Sequence, residues 1–341
     1  MIQRLNYVIS ESTNPCVNLA MEERLLDTVQ DGEATVYLWQ NERTVVIGKN
    51  QNACAECNLT ALREDGGRLV RRLSGGGAVY HDLGNLNFTF LSKAADENTG
   101  RNLEIIAGAL RSFGLEPQKS GRNDLLLNGR KFSGNAFCTR KGNAYHHGTL
   151  MLNVDAERIE RYLCVSSAKL EKHAVRSVRA RVINLSELAP EITVGCLRTE
   201  IIAAAEMTYG LTAKKIETAQ DSGFQRLVEK YESDEWNLGE QSSLPLCRKG
   251  SFPWGQIEIN YDIRDAICRN MIVYSDAMDA ALPKNIAEQL VDCPWNEENI
   301  RRRLTAHAQT LEEETIVLNI LNLLFDAGEG LNRAGDVQKT G

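Results

Sequence analysis

The run Arg71-Arg72-Leu73-Ser74-Gly75-Gly76-Gly77-Ala78-Val79-Tyr80-His81-Asp82 carries the densest chemical information in the chain. Three consecutive glycines allow a backbone turn with no Cβ in the way. Such a turn can aim several N–H groups at one anion, a phosphate or a carboxylate. The two arginines before it add guanidinium groups, which grip phosphate oxygens bidentately. Taken alone, the same residues also make an ordinary glycine-rich hairpin with surface arginines. No Gly-Lys-Ser/Thr follows the glycines, so this is not a Walker loop, and the spacing is not that of a dinucleotide fingerprint.

A second segment, Asn123-Asp124-Leu125-Leu126-Leu127-Asn128-Gly129-Arg130-Lys131-Phe132-Ser133-Gly134-Asn135-Ala136, places a lysine just beyond a tight turn. Small residues around Lys131 leave room for a ligand. Pointed inward, its ammonium can sit between a carboxylate and a phosphate. Asn123 and Asp124 begin the partner strand and could hold Mg²⁺ or orient that amine. A third segment is Tyr145-His146-His147-Gly148-Thr149-Leu150. Vicinal histidines on a strand face opposite sides, so at most one of them enters a given site. A polar lining residue is the better reading than a metal pair.

The elements that must position these groups follow from periodicity and punctuation. Residues 4–10 alternate like a strand. Asn14-Pro15 is an N-cap followed by proline at the first helical position, with helical spacing over 17–29. Residues 35–40 and 44–49 read as a hairpin joined by Asn41-Glu42-Arg43. A helix begins near Asn58 and ends at Gly66-Gly67. Residues 68–74, 78–81 and 85–92 are extended, and 103–113 form an amphipathic helix closed by Gly114. Strands 124–127 and 130–136 meet at Asn128-Gly129, where both residues accept the positive φ of a type I′ turn. Residues 146–153 are one more strand, and 155–231 are mainly helical. The stretch 236–249 is rich in Gly, Ser, Pro and charge and reads as a linker. Beyond it, alternation over 256–263 pairs with 271–274, three helices follow to about 326, and a polar tail over 327–341 ends the chain. The expectation is an α+β fold: a mixed, mostly antiparallel sheet with flanking helices over residues 1–245, then a small α+β domain over 250–341.

Composition is that of a globular protein, with 43% hydrophobic and 25% charged residues. Two domains suit 341 residues. A net charge of -7 argues against a nucleic-acid partner. The longest apolar stretch, near residues 316–325, is broken by Asn319 and Asn322 and is too short to span a bilayer. The nine cysteines show no pairing framework, and residues 1–10 do not make a signal-peptide core, which suits a reducing cytoplasm. Cys54 and Cys57 form a C-x-x-C with no second ligand pair, which argues against both zinc and a redox pair.

Taken together, these segments resemble the lipoate–protein ligase A family. The resemblance rests on Asn18-Leu19-Ala20-x-Glu22-Glu23, Val45-Val46-Ile47-Gly48-x-x-Gln51-Asn52, the 71–82 and 123–136 runs, and His146-His147-Gly148-Thr149-Leu150, in that order. Ser177-Val178-Arg179-Ala180-Arg181-Val182-x-Asn184-Leu185 extends it, so that it covers residues 1 to about 240. A C-terminal accessory domain of this size is typical of the family. The resemblance implies activation of lipoate with ATP and Mg²⁺ to lipoyl-AMP and pyrophosphate. It also implies transfer to a lysine of lipoyl domains of 2-oxoacid dehydrogenase acyltransferase subunits or of the glycine cleavage H protein.

By motif, Lys131 matches the family's essential lysine and Arg72 its phosphate-binding arginine. Gly77, Ala78, Val79 and Tyr80 match the nucleotide loop, and Asn123 and Asp124 match ATP-side positions, with Asp124 a candidate Mg²⁺ ligand. Ser74, Gly75, Gly76, His81 and His147 match lipoate-side positions, and Trp39 lies where the family lines its acyl tunnel. The chemistry fits these roles. Carboxylate attack on an α-phosphate brings like charges together, and cations there lower the barrier.

Three rivals remain. A carrier-protein-dependent octanoyl or lipoyl transferase of the same fold needs a nucleophile, for which Cys138 and Cys164 are the candidates. A biotin ligase shares the chemistry. A non-catalytic binder of lipoyl domains would not need Lys131 and Arg72.

Overall fold

The computed structural model describes residues 1–120, 124–164, 181–306, 308–325 and 332–333. Along the chain run β1 (Arg4–Ile9), α1 (Pro15–Thr28), β2 (Glu33–Trp39), β3 (Thr44–Ile47), α2 (Ala53–Glu56), α3 (Leu59–Glu64), β4 (Arg68–Arg71), β5 (Val79–His81) and β6 (Asn85–Lys93). Then come α4 (Thr99–Arg111), β7 (Gln118–Ser120), β8 (Asp124–Leu127), β9 (Arg130–Arg140), β10 (Asn143–Met151) and α5 (Ala156–Tyr162). They are followed by α6 (Val194–Tyr209), β11 (Ala213–Lys215), α7 (Ser222–Glu232) and α8 (Asp234–Leu238). The last elements are β12 (Leu246–Phe252), β13 (Gly255–Arg264), β14 (Ile267–Ser275), α9 (Leu282–Leu290), α10 (Glu297–Thr305), α11 (Leu311–Phe325) and β15 (Asn332–Arg333).

Two compact units result. The first comprises Met1–Ile47, Ala53–Arg72 and Ala78–Asn237. The second comprises Gly48–Asn52, Leu73–Gly77 and Leu238–Gly341. The fold is α+β with a large, mostly antiparallel sheet, as the patterning implies.

In the first unit the main sheet has the order β11-β1-β2-β6-β10-β9-β8-β7. β1 pairs in parallel with β11 and β2, and every other neighbour is antiparallel. Alternation sends Val36, Leu38, Phe88, Phe90 and Leu150 to one face, where with Phe132 they form a core with Ile105, Ile106 and Leu110 of α4 and Leu197 and Ile201 of α6. Each such side chain removed from water contributes about 1.5–3 kcal/mol. The other face turns toward α1. That helix starts where the sequence predicts, with Asn14 Oδ1 accepting from Cys16 N at 3.0 Å and Pro15 at its first position.

Two readings change. Residues 35–40 and 44–49 are not a hairpin. β2 stays in the main sheet, whereas β3 lies in a separate three-stranded sheet of order β4-β3-β5. The chain leaves between them at Asn41, which is fully buried and bonded to Asn18, and Arg43, whose φ is 33°. All four residues of β3 are buried, so it needs cover on both faces rather than a two-stranded ribbon. The stretch 236–249 is ordered structure at both ends, in α8 and in β12, with the composition break between them.

The Asn128-Gly129 turn has φ of 52° and 72°, as a type I′ turn requires. The 155–231 region also contributes β11, a short parallel edge strand not evident from the helical pattern. Residues 165–180 lie outside the described residues, as does the 327–341 tail apart from 332–333.

The second unit has a four-stranded antiparallel sheet of order β14-β13-β12-β15. Ile257, Ile259 and Tyr261 of β13 face Ile286 and Leu290 of α9, Ile300 of α10 and Ile320 of α11. Among the described residues no helix is long and apolar enough to cross a membrane.

Candidate active site

The α1-facing side of the main sheet is polar where a core would be apolar. Register places Trp39 opposite Asn87, Tyr37 opposite Thr89, Thr89 opposite His147, and His147 opposite Ala136. These side chains therefore share one face. A buried chain of hydrogen bonds crosses it. Trp39 Nε1 donates to Thr89 Oγ1 at 3.0 Å, Thr89 Oγ1 donates to Glu22 Oε1 at 2.7 Å, and His147 Nδ1 donates to the same oxygen at 2.8 Å. Glu22 is 2% exposed on α1, so one carboxylate orients an indole and an imidazole at once.

His146 goes to the other face. It packs among Phe88, Phe90 and Phe137, and its Nε2 lies 2.9 Å from Asn135 Oδ1. Burial pushes its pKa down to about 3, so it is a neutral core residue.

His81 and Arg72 complete the buried polar set. Asn41 Nδ2 lies 3.3 Å from His81 Nδ1, and the His81 ring meets Trp39 edge-on with centroids 6.1 Å apart. Burial, with Arg72 and His147 adding positive potential, pushes His81 down to about 3. Arg72 follows β4. Its N bonds Ile47 O at 3.0 Å and its Nη1 donates to Val46 O at 3.1 Å. Burial lowers it to about 10, against the opposing pull of Tyr145 and Glu22, so it remains a cation at neutral pH. The interior thus holds a guanidinium close to the neutral His81 imidazole, an arrangement suited to an anion.

Lys131 reaches the same side of the sheet through a β-bulge. Leu126 pairs with Lys131 but Leu125 pairs with Ser133, so β9 carries one extra residue. Without it Lys131 would share a face with Ser133. With it Lys131 joins Asp124 and Gly134, and Phe132 is sent to the core. Lys131 Nζ sits 2.7 Å from Asp124 Oδ1, with the side chains 38% and 33% exposed. A Cβ at Gly134 would lie 3.1 Å from Lys131 Nζ, so glycine leaves the lysine its path. Ile183 N donates to Lys131 O at 2.9 Å, which ties the lysine's own peptide. Asn123 lies outside the described residues.

Tyr80 points away from His81, as neighbours on a strand must, and packs against Tyr162 with the rings tilted and their centroids 5.4 Å apart. It contributes packing, and burial pushes its phenol up to about 12. Val79 and Ala78 are half-buried.

In the second unit, Ser74–Gly77 forms a loop whose glycines have three different reasons. Gly76 has φ of 85°. A Cβ at Gly75 would lie 2.3 Å from Ala277 O, and one at Gly48 would lie 2.1 Å from Gly76 O. Gly77 has nothing within 4 Å of that position, so space is open there. Ser74 is fully buried and its O accepts from Lys49 N at 2.9 Å, while Gly76 N donates to Ala277 O at 3.1 Å.

Glu22, Thr89, Asn41 and Tyr145 belong to this site and carried no role from sequence. A helical carboxylate beside apolar residues was the available signal for Glu22. Its neighbour Glu23 serves packing instead, bonded to Lys230, Arg140 and Tyr231. Among the described residues, no group of three or more His, Cys, Asp or Glu side chains is arranged to hold a metal ion.

Known proteins resemble this chain over both units. Residues 14–206 match the lipoyl protein ligase A/B catalytic domain, and residues 246–323 match the bacterial lipoate protein ligase C-terminus. A lipoate-protein ligase A of Bdellovibrio bacteriovorus is 36% identical over 312 residues, covering 89% of this chain and 92% of that one. The crystal structure of P. falciparum LipL1 in complex with lipoate superposes with a TM-score of 0.83 at 28% identity, covering 93% of this chain and 99% of that one. A lipoate-protein ligase A bound with ATP gives a TM-score of 0.59 at 26% identity, covering 70% and 99%. With a family model over more than half its length and a relative this similar over most of both chains, the chain belongs to the lipoate–protein ligase A family.

Proposed function

We propose that this chain activates lipoate with ATP and transfers the lipoyl group to a lysine of a lipoyl carrier domain. The observation that carries the reading is Lys131, turned by a bulge onto the polar face and held there by the Asp124 carboxylate, which a substrate anion can replace.

In the first half-reaction a lipoate carboxylate oxygen attacks the α-phosphorus of ATP. The bond to pyrophosphate breaks and lipoyl-AMP forms. Lys131 bridges the carboxylate and the α-phosphate, and Arg72 supplies a second, buried cation; both offset repulsion between the anions. Gly77, Ala78, Val79 and Tyr80 are the nucleotide-binding segment, with open space at Gly77 for a phosphate. Trp39, His81 and His147, each less than a tenth exposed, line the acyl side and keep water from the mixed anhydride. In the second half-reaction the acceptor amine attacks the acyl carbon, AMP leaves, an amide forms and the amine's proton passes to solvent. Asp124, half-exposed with one oxygen on Lys131, fits as a lone carboxylate ligand of Mg²⁺. Bound with ATP, that ion supplies charge neutralisation on the phosphates.

A thioester-dependent transferase is less well supported. It needs an activated thiol, and the Cys164 thiol is pushed up by burial and by Glu56. The acceptor is proposed to be a lipoyl domain of a 2-oxoacid dehydrogenase or the glycine cleavage H protein, in the cytoplasm. ATP–pyrophosphate exchange is the test. Stimulation by free lipoate and not by biotin supports the reading. Absence of exchange, with transfer from an octanoyl carrier protein, overturns it.

A further inference from the structure

Residues 207–245 lie between the two family domains and belong to neither. Within them α8 is hydrogen-bonded to the end of β4 through Asn237 and Trp236. Arg71 N donates to Asn237 Oδ1 at 2.9 Å, and Trp236 Nε1 donates to Arg71 O at 2.8 Å. Arg71 Nε donates to Trp236 O at 2.9 Å, and Arg71 Nη2 donates to Asn237 O at 3.0 Å. The placement explains why side chains do this. β4 is an edge strand: β3 occupies one side, with Ile47 in register with Arg71, and among the described residues no strand occupies the other. Buried main-chain groups need partners. Asn237 and Trp236 supply them where a further strand would.

The next residue is Arg72. Its N–H turns to the inner edge, onto Ile47 O. The peptide between Arg71 and Arg72 is therefore held on its outer edge by Trp236, through Arg71 O, and on its inner edge by β3, through Arg72 N, while Asn237 holds the peptide before it at Arg71 N. The grip is itself stiff. Asn237 is 5% exposed, and its Nδ2 donates to Tyr231 O at 2.7 Å. Lys230 Nζ lies 4.0 Å over the Trp236 ring and 2.7 Å from Glu23 Oε2, which anchors the assembly to α1.

We propose that Asn237, assisted by Trp236, is a positioning residue for adenylation, fixing the end of β4 from which Arg72 reaches the nucleotide phosphate. The proposal rests on the reading of Arg72 as a phosphate ligand. A guanidinium buried away from water finds its anion only if its base is fixed, and displacement of a reacting group by about 1 Å costs on the order of a hundredfold. A segment outside both family domains thereby becomes part of the ATP site.

The test is a double-mutant cycle in lipoate-dependent ATP–pyrophosphate exchange, using Asn237→Ala, Arg72→Ala and the pair in the full chain. Asn237→Ala is expected to lower kcat/KM for ATP by about tenfold or more, with KM for lipoate unchanged. In the Arg72→Ala background it is expected to cause no further loss, because the residue it positions is gone. Asn237→Asp keeps the acceptor for Arg71 N and is expected to recover part of the activity. An equal factor in both backgrounds, or no loss in either, overturns the proposal. Normal exchange by Arg72→Ala alone overturns the phosphate reading as well, and is seen independently of Asn237. If Asn237→Ala does not fold, Trp236→Phe, which keeps the ring and removes one donor, goes through the same cycle with the same criteria.

Discussion

Glu22 of α1 and His147 of β10 meet at 2.8 Å in the interior of the first unit, and the carboxylate oxygen that holds the imidazole also receives Thr89, which in turn holds Trp39. Tyr145 packs on the same His147 ring at 4.7 Å. Three residues assigned to the acyl side or packed beside it thus depend on one helical carboxylate. Its charge also supports the buried Arg72. This gives α1 a role in the site as well as in packing.

Glu22→Gln is expected to lower stability by about 1–3 kcal/mol, because two buried donors lose a charged acceptor and an amide donor is added beside them. KM for lipoate is expected to rise as Trp39 and His147 lose their fixed orientation. Urea unfolding and lipoate titration of pyrophosphate exchange measure the two effects. An unchanged unfolding midpoint would show that the hydrogen-bonded chain contributes nothing.

Gly48, packed against the loop, and Gly77, within it, predict opposite outcomes for the same substitution. Gly48→Ala puts a Cβ 2.1 Å from Gly76 O and is expected to destabilise the protein by about 1–3 kcal/mol through overpacking. Gly77→Ala meets nothing within 4 Å, so its unfolding midpoint should stay that of wild type while ATP use falls, since the methyl enters the space assigned to phosphate. A Gly77→Ala protein with normal KM for ATP would move the phosphate away from Gly77.

His81 and His146 make stability depend on pH. Both are pushed from 6.5 to about 3 in the folded chain by burial. Above pH 6.5 neither the folded nor the unfolded form is protonated at these residues, and the full stability is present. Between pH 6.5 and about 3 the unfolded chain binds the protons and the folded chain does not, so stability falls by about 1.4 kcal/mol per pH unit for each histidine. Denaturant unfolding at pH 7, 6 and 5, chosen as about one-unit steps, should show this slope reduced in His146→Gln. Equal slopes in the two proteins would mean that His146 titrates normally when folded.

Much of this was legible from residue types. Asn128-Gly129 specified its turn, and the alternation of a strand separated His146 from His147. What escaped did so for identifiable reasons. The bulge at Phe132 leaves no compositional mark, and plain alternation over 130–136 would put Lys131 with Ser133, on the core side. The supposed hairpin of β2 and β3 fails because a burial pattern of four consecutive apolar or Thr residues fits any strand covered on both faces, whichever sheet it joins. Asn237 was hidden by composition: the Gly- and Ser-rich stretch begins one residue after Leu238, and its neighbours were read with it.

Lys131→Met is the sharpest test of the site as a whole. The bulge fixes the lysine's backbone, Ile183 ties its carbonyl, and Gly134 leaves the side chain its path to Asp124. Methionine keeps most of the length and the apolar stem but removes the charge. The ion pair with Asp124 is partly solvent-exposed, so its loss should change stability little. Adenylation is different. Without the ammonium, the lipoate carboxylate and α-phosphate face each other with one cation fewer in a water-poor site, a cost of several kcal/mol and so roughly a thousandfold or more in rate. The two quantities separate cleanly if unfolding midpoint and lipoate-dependent pyrophosphate exchange are measured on one preparation. A folded Lys131→Met protein that keeps more than about a tenth of wild-type exchange has lost only about 1.4 kcal/mol. That result would remove Lys131 from the chemical step and leave it as a surface partner of Asp124.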